Sequence, residues 1–252
     1  MAKIVAIANQ KGGVGKTTTA VNLCAALHQM GRRVLLVDAD PQGNASSGMG
    51  VAKTHRPNVY DMLSAGVPAA DCVVHTAYGS LIPTGRELAA ASVELTERER
   101  REYVMKDALL SLYTDYDYIL IDCPPSLELL TVNALVAADS VLVPMQCEYY
   151  ALEGLADLMT SIRRCSKRLN RRLQIEGIVL TMYDGRMNLT TQVANELRRH
   201  LGSKVYETVI PRSIRLTEAP SHGVPGVNYD KTNKGSKAYL ALAEEFAARS
   251  ER

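Results

Sequence analysis

The sequence predicts an α/β fold, a mostly parallel doubly wound sheet with helices on both faces. Three observations carry that expectation. Apolar runs of four to six residues alternate with helix-length stretches along the whole chain. Several runs are continuous in β-branched residues and leucine, the mark of parallel strands buried on both faces. The chain has 252 residues, 46% hydrophobic and 22% charged, enough to bury the core of one domain, expected to span 1–252.

Taken in order, Ile4–Ala8 reads as the first strand and Thr17–Met30 as the helix behind it. Val34–Val37 is the second strand. Gly43–Ser80 is irregular in its Gly, Ser, Pro and His content and is expected to face a partner or move. Ser80–Pro83 reads as a strand. Thr96–Tyr113 reads as a helix, its alternating Glu97, Arg98, Glu99, Arg100, Arg101 and Glu102 forming a solvated face. Tyr118–Ile121, Ser140–Pro144, Glu176–Thr181 and Tyr206–Ile210 read as strands. Leu127–Ala138, Leu152–Leu169, Leu189–Leu201 and Lys237–Arg249 read as helices. Leu152, Leu155, Met159 and Ile162 recur at helical spacing and are expected in the core. In such sheets ligands bind at the carboxyl ends of the strands, where the residues discussed next all fall.

Gln10-Lys11-Gly12-Gly13-Val14-Gly15-Lys16-Thr17-Thr18 follows the first strand directly. Its glycines let backbone N–H groups turn inward around phosphate oxygens, and the next helix aims its N-terminus at the same anion. Lys16 can reach the β- and γ-phosphates and the Thr17 hydroxyl can ligate Mg²⁺. This is the loop of a P-loop NTPase, with one departure. The pattern asks for glycine six residues before the lysine, and Gln10 stands there, followed by Lys11. Lys11 has two readings: a solvated surface lysine, or a cation aimed at a phosphate bound by another copy of the chain.

Asp38-Ala39-Asp40-Pro41-Gln42-Gly43-Asn44 follows the second strand. Its two acids, at i and i+2, can both reach a metal–phosphate centre, and Asp40 is the candidate to position or activate the attacking water. The plainer alternative is an ordinary Asp-Pro turn. Asp122 ends the strand Tyr118–Ile121, where an acid either holds Mg²⁺ or caps the next helix.

Together, Lys11–Thr18, Val37–Asn44 and Ile121–Pro125 resemble the deviant Walker A, A′ and B motifs of the ParA/MinD ATPases. Gln146–Gly154 and Ile210–Gly223 resemble its ParA (Soj) branch, and the likeness runs from Lys3 to about Ala248. The resemblance implies that Lys11 crosses a two-fold interface to the partner's ATP and that Gly12 lies where two loops meet. It implies that Gly12, Gly13, Val14, Gly15, Lys16, Thr17 and Thr18 hold phosphate, that Thr17, Asp40 and Asp122 serve Mg²⁺, and that Pro211 and Met182 line the base. It further implies an ATP-bound sandwich homodimer, binding to double-stranded DNA without sequence preference, and hydrolysis stimulated by a ParB-type centromere-binding protein. The expected setting is a cytoplasmic, nucleoid-associated protein that segregates a chromosome or plasmid. Arg186 and Arg215 match DNA-contacting positions; Lys231, Lys234 and Lys237 extend that set by charge alone. Because the loop starts within the first dozen residues, no helix-turn-helix domain is expected ahead of it.

A net charge of +2 argues against a bulk polycation, so DNA contact must be local. The run Arg163–Arg172 is the most basic stretch. It reads either as the solvated end of a helix, where cations suit the dipole, or as an extra DNA patch. No Trp and a single Phe disfavour base stacking. Five scattered cysteines suit a reducing compartment and buried thiols. They lack the spacing that a bridging iron–sulfur cluster, as in the nitrogenase iron protein, would need. His222 reads as a loop hydrogen-bonding residue. No apolar run reaches a membrane span, the start of the chain leaves no room for a signal peptide, and the tail from Tyr239 to Arg249 reads as a docked final helix, not the amphipathic anchor of a MinD-like membrane-cycling ATPase.

Overall fold

The computed structural model describes residues 1–148 and 151–250. In chain order its main elements are β1 (Lys3–Ile7), α1 (Lys16–Gln29), β2 (Val34–Asp38), α2 (Asn44–Gly48), β3 (Val74–Thr76), β4 (Gly79–Ile82), α3 (Leu88–Glu94), α4 (Val104–Leu109), β5 (Tyr118–Asp122), α5 (Leu129–Ala137), β6 (Ser140–Gln146), α6 (Ala151–Arg168), β7 (Gln174–Tyr183), α7 (Asn188–Leu201), β8 (Val205–Pro211), α8 (Ile214–Glu218), α9 (Gly226–Tyr229) and α10 (Lys234–Ser250). Part of the ParA-like stretch Gln146–Gly154, namely Tyr149 and Tyr150, lies outside the described residues.

Eight strands form one sheet in the order β3-β4-β2-β5-β1-β6-β7-β8. Every pairing is parallel except β3 on β4. The chain moves to one side of β1 for β2 and to the other for β6, so the loop after β1 opens at the place where strand order reverses.

The strands alternate between two cores, as a period of two requires. Ile4 and Ala6 of β1 join one cluster with Leu35, Ile121 and the inner faces of α5, α6 and α7. Val5 and Ile7 join the other with Leu36, Leu120, α1 and the buried side of α10. Both faces are covered, which is why β1, β2 and β5 carry almost no polar residue before their last position. The docked-tail expectation holds: Tyr239, Leu242, Ala243 and Phe246 are buried, and the Tyr239 hydroxyl lies 3.1 Å from Thr19 Oγ1 of α1. Glu245 accepts from the N–H groups of Glu207 and Thr208 at 2.9 Å on the edge strand β8. Among the described residues no helix is long and apolar enough to cross a membrane. All five cysteines are free and buried, as expected.

Two expectations need correcting. Thr96–Tyr113 is not one helix. Arg98 is extended (φ −82°, ψ 139°) and Arg100 has φ +54°, so regular helix is confined to α4. The Arg98 guanidinium is drawn off to the carbonyls of Leu63 and Ser64, which end the helical turn Asp61–Ala65. Gly43–Ser80 carries only short regular elements such as α2 and the edge strand β3, in keeping with its irregular composition. The buried stripe of α6 starts at Leu155 and runs through Leu158, Ile162 and Cys165, leaving Leu152 exposed. His222 stacks on Tyr229 with ring centres 5.0 Å apart, in the loop between α8 and α9.

Candidate active site

The glycine loop leaves β1 and enters α1. Gly13 and Gly15 turn it at φ +73° and +87°, a region that side chains occupy only with strain. No side chain caps α1, so the N–H groups of its first turn are left for an anion. Neighbouring strand ends pin the loop from outside. Thr181 Oγ1 donates to the Val14 carbonyl at 2.7 Å, Gln146 Nε2 to the Gly13 carbonyl at 2.9 Å, and Asn9 Nδ2 to the Pro144 carbonyl at 2.8 Å.

Lys16 is buried, and its ammonium donates to the Lys11 carbonyl at 3.1 Å. Burial lowers its pKa, against the opposing pull of the Asp122 and Asp40 carboxylates. Asp122, at the end of β5, is fully buried, and neither of its oxygens makes a hydrogen bond, although the Thr17 side chain is near enough to favour the ionised form. Burial, reinforced by the Asp38 charge, pushes its pKa well above the ordinary carboxylate value. A buried acid without a partner is costly. An orphaned carboxylate beside a threonine hydroxyl, under a loop shaped for phosphate, is a fitting oxygen-donor set for a hard divalent cation such as Mg²⁺.

The two acids at the end of β2 do different work: the sequence lets both reach a metal–phosphate centre, and only Asp40 borders the cleft. Asp38 is fully buried and accepts from Ser46 N and Ser46 Oγ, both at 2.7 Å, and from Asp40 N at 3.3 Å. Burial pushes its pKa up to about 6. Ser46 Oγ in turn accepts from Thr84 N at 3.0 Å. Asp38 therefore ties β2, α2 and the end of β4 together. Asp40 lies on the cleft wall, with Oδ1 accepting from Gln42 N at 2.9 Å. Lys53 braces the same turn by donating to the Gln42 carbonyl and to Asn44 Oδ1.

These parts border one cleft of about 960 Å³. Gly12, Gly13, Gly15, Lys16, Thr17, Thr18 and Asp40 line its phosphate end. Met182, Pro211, Leu216, Pro220, Val224 and Pro225 give it a largely apolar end of the kind that suits a base. Met182 holds φ +49°, strain placed at the cleft rim. Val14 and Asp122 are buried and do not border the cleft. Lys11 stands outside the cleft and pairs with the exposed Glu148. Gly12 has open space where a side chain would be.

The DNA candidates are not in the cleft. Arg186 follows β7 and is held by Asp184 at 2.7 and 2.9 Å. Arg215 in α8 pairs with Glu218 at 2.9 Å and with Asp230 at 3.6 Å. Lys231, Lys234 and Lys237 are exposed at and before the start of α10. Sequence reasoning missed Gln146, Thr181, Ser46 and Lys53. The first two end strands β6 and β7 on the cleft side, a position that could have marked them. Ser46 and Lys53 sit in the unpatterned stretch after β2 and gave no signal.

The family described as AAA domain matches residues 2–175. The sporulation initiation inhibitor protein Soj of Bacillus subtilis is 54% identical over 251 residues, covering 98% of this chain and 99% of its own. The chromosome partitioning protein ParA of Caulobacter vibrioides is 53% identical over 252 residues, covering 98% and 94%. Cobyrinic acid a,c-diamide synthase from Mycobacterium smegmatis, solved with ADP and magnesium, superposes with a TM-score of 0.87 at 36% identity over 100% of this chain and 96% of that one. With half of its residues shared along nearly the whole length of Soj and ParA, the chain belongs to the ParA/Soj family of chromosome-partitioning ATPases.

Proposed function

We propose that residues 1–252 are one ATPase domain that binds ATP with Mg²⁺, pairs with a second copy across the nucleotide, and in that state holds double-stranded DNA without sequence preference. A ParB-type partner then stimulates hydrolysis to ADP and phosphate, slow in its absence, and the DNA is released, moving a chromosome or plasmid in the cytoplasm on the nucleoid. Lys16 and the first-turn N–H groups of α1 neutralise the triphosphate. Thr17 and Asp122 would hold the magnesium, which supplies charge neutralisation between the phosphates when bound. Asp40 orients the attacking water and takes its proton, and its hydrogen bond to Gln42 N fixes the carboxylate for that role. Lys11 serves the partner's nucleotide once it leaves Glu148. Arg186, Arg215, Lys231, Lys234 and Lys237 contact DNA phosphates.

The observation that carries this reading is the outer corner of the loop. Gly12 has nothing within 4 Å of an added Cβ, and Lys11 is directed away from its own cleft. Both are available to a second copy. The docked apolar side of α10 supports DNA over a membrane-cycling role, because it leaves no lipid-facing stripe. The test is DNA retention with ATP, with ADP and without nucleotide, for wild type and Gly12→Val. Retention that rises with ATP in wild type only is the expected result. Retention that ignores nucleotide, or that survives Gly12→Val, overturns the sandwich-dimer reading.

A further inference from the structure

The acid on the cleft wall stands on a turn that has little of its own to hold it. Asp40, Pro41, Gln42 and Gly43 link β2 to α2, and Gly43 N closes the turn by donating to the Asp40 carbonyl at 2.8 Å. Inside it Gln42 N donates to Asp40 Oδ1 at 2.9 Å. Among the described residues nothing is bonded to Asp40 Oδ2, which leaves that oxygen for the water. Gly43 holds φ +62°, and a glycine has other conformations at little cost. Sterics alone therefore do not stop the Gln42–Gly43 peptide from turning over, and a turned peptide loses its bond to Asp40.

Lys53 supplies the missing hold. Its ammonium donates to the Gln42 carbonyl, the other end of that same peptide, and to Asn44 Oδ1 at 3.2 Å. The peptide is thus held twice, at its N–H by Asp40 and at its carbonyl by Lys53. The lysine stem lies across the turn, with Cγ and Cδ 3.2 Å from where a Cβ on Gly43 would stand. The main chain of Lys53 is seated as well, its carbonyl 2.5 Å from where a Cβ on Gly85, after β4, would stand. Nearby, Arg56 pairs with Asp61 and, at 3.4 Å, with Glu87. Lys53 therefore reaches the turn from a braced platform. It borders the cleft together with Asp40, and among the described residues it has no acid partner. A surface lysine kept for charge would need neither the two oxygens of this turn nor a place on the cleft wall.

We infer that Lys53 is a positioning residue for ATP hydrolysis: it clamps the Gln42–Gly43 peptide and so keeps the Asp40 carboxylate aimed at the attacking water. The inference rests on the role proposed above for Asp40 and adds the residue that holds it in place. Lys53 acts on the rate and not on the binding of nucleotide, because its ammonium is spent on the turn. The clamp is a cation on two neutral oxygens, so a side chain of equal length without the charge cannot replace it. Asp38 secures the other side of the same turn through Ser46 and Thr84, inside the fold. The turn is therefore held from the core by a buried acid and from the cleft by a half-buried lysine.

The test is single-turnover release of phosphate from γ-labelled ATP with Mg²⁺ by the full chain, with ATP affinity and melting temperature measured for each variant. Lys53→Met keeps the stem over Gly43 and removes the cation. It is expected to slow hydrolysis by about 10- to 100-fold, the cost of a carboxylate misplaced by about an ångström, with ATP affinity within about twofold of wild type. Lys53→Arg returns a cationic donor and is expected to recover to within about threefold of the wild-type rate. Asp40→Ala/Lys53→Met should be no slower than Asp40→Ala, because the lysine works through the carboxylate. A wild-type rate in folded Lys53→Met, a loss confined to ATP affinity, or an arginine variant no faster than the methionine one overturns the proposal. So does further slowing in the double variant. If Lys53→Met does not fold, Lys53→Gln answers the same question. The two readings fail separately. Normal hydrolysis by Asp40→Ala removes both, whereas a dead Asp40→Ala beside a normal Lys53→Met removes the lysine alone.

Discussion

Asp122 and Glu176 are both carboxylates with almost no exposure, at opposite ends of the same sheet. The Glu176 side chain is 7% exposed, pairs with Lys3 at 2.8 Å and accepts from Ser140 Oγ at 2.6 Å. Asp122 is wholly buried and has no hydrogen-bond partner. Folding alone would select the Glu176 arrangement everywhere, because an unpartnered buried charge is destabilising. The contrast identifies the carboxyl end of β5 as a place where stability gives way to a ligand that arrives later.

The sharpest way to break this comparison is at the acid on the cleft wall. Asp40→Ala is expected to cut partner-stimulated ATP hydrolysis by about 10²- to 10⁴-fold, the range for a lost general base, while ATP-dependent retention on DNA persists or grows. Normal phosphate release by this variant would remove Asp40 from the mechanism. Lys16→Ala should weaken ATP binding by about 10- to 100-fold, the worth of a charge-assisted hydrogen bond, in a filter or calorimetric assay. At the far end, Glu176→Ala should cost roughly 1–3 kcal/mol by stranding Ser140 and Lys3, seen as a lower melting temperature with unaltered ATP affinity. Asp122→Asn should move the other way. Without a buried carboxyl that must either take up a proton or stay charged unpartnered, the nucleotide-free protein should melt higher, by about 2–4 °C for roughly 1 kcal/mol, and the stabilisation that Mg²⁺–ATP gives wild type should shrink. A lower melting temperature would mean that Asp122 is satisfied in solution and the comparison is void.

The smallest effect lies at Glu245. Burial raises its pKa, but the N–H groups of Thr208 and Glu207 and the Arg249 guanidinium outweigh that and leave it lowered. A folded-state pKa below the unfolded value gives stability that is full above about pH 4.5 and fades as pH falls through the folded value. Melting of wild type should therefore drop between pH 5 and pH 3 by more than that of Glu245→Gln, a difference of about 0.5–1 kcal/mol after solvent screening.

The strands through the middle of the sheet were legible because a strand buried on both faces leaves a continuous apolar run, as in Tyr118–Asp122. The loop was legible because its glycines, lysine and threonine are contiguous. What stayed hidden depends on distant partners. Arg98 abandons helix for carbonyls more than thirty residues away, and nothing in its local alternation of charge reports that. The sequence let both acids at the end of β2 reach one centre, yet Ser46, eight residues from Asp38, holds Asp38 within the fold while Asp40 borders the cleft. The edge strand β3 has three residues and no apolar face to announce it.

The contact between Glu245 and β8 also bears on how copies of this chain can associate. On that margin Glu245 occupies the N–H groups of Glu207 and Thr208, and Arg249 occupies the carbonyls of Ser203 and Val205. The opposite margin is three residues of β3. A sheet bordered in this way offers little to an incoming strand, so growth by strand addition, which is hard to reverse, is disfavoured. Association, where it occurs, is left to loops and side chains, contacts that part without unpicking a strand.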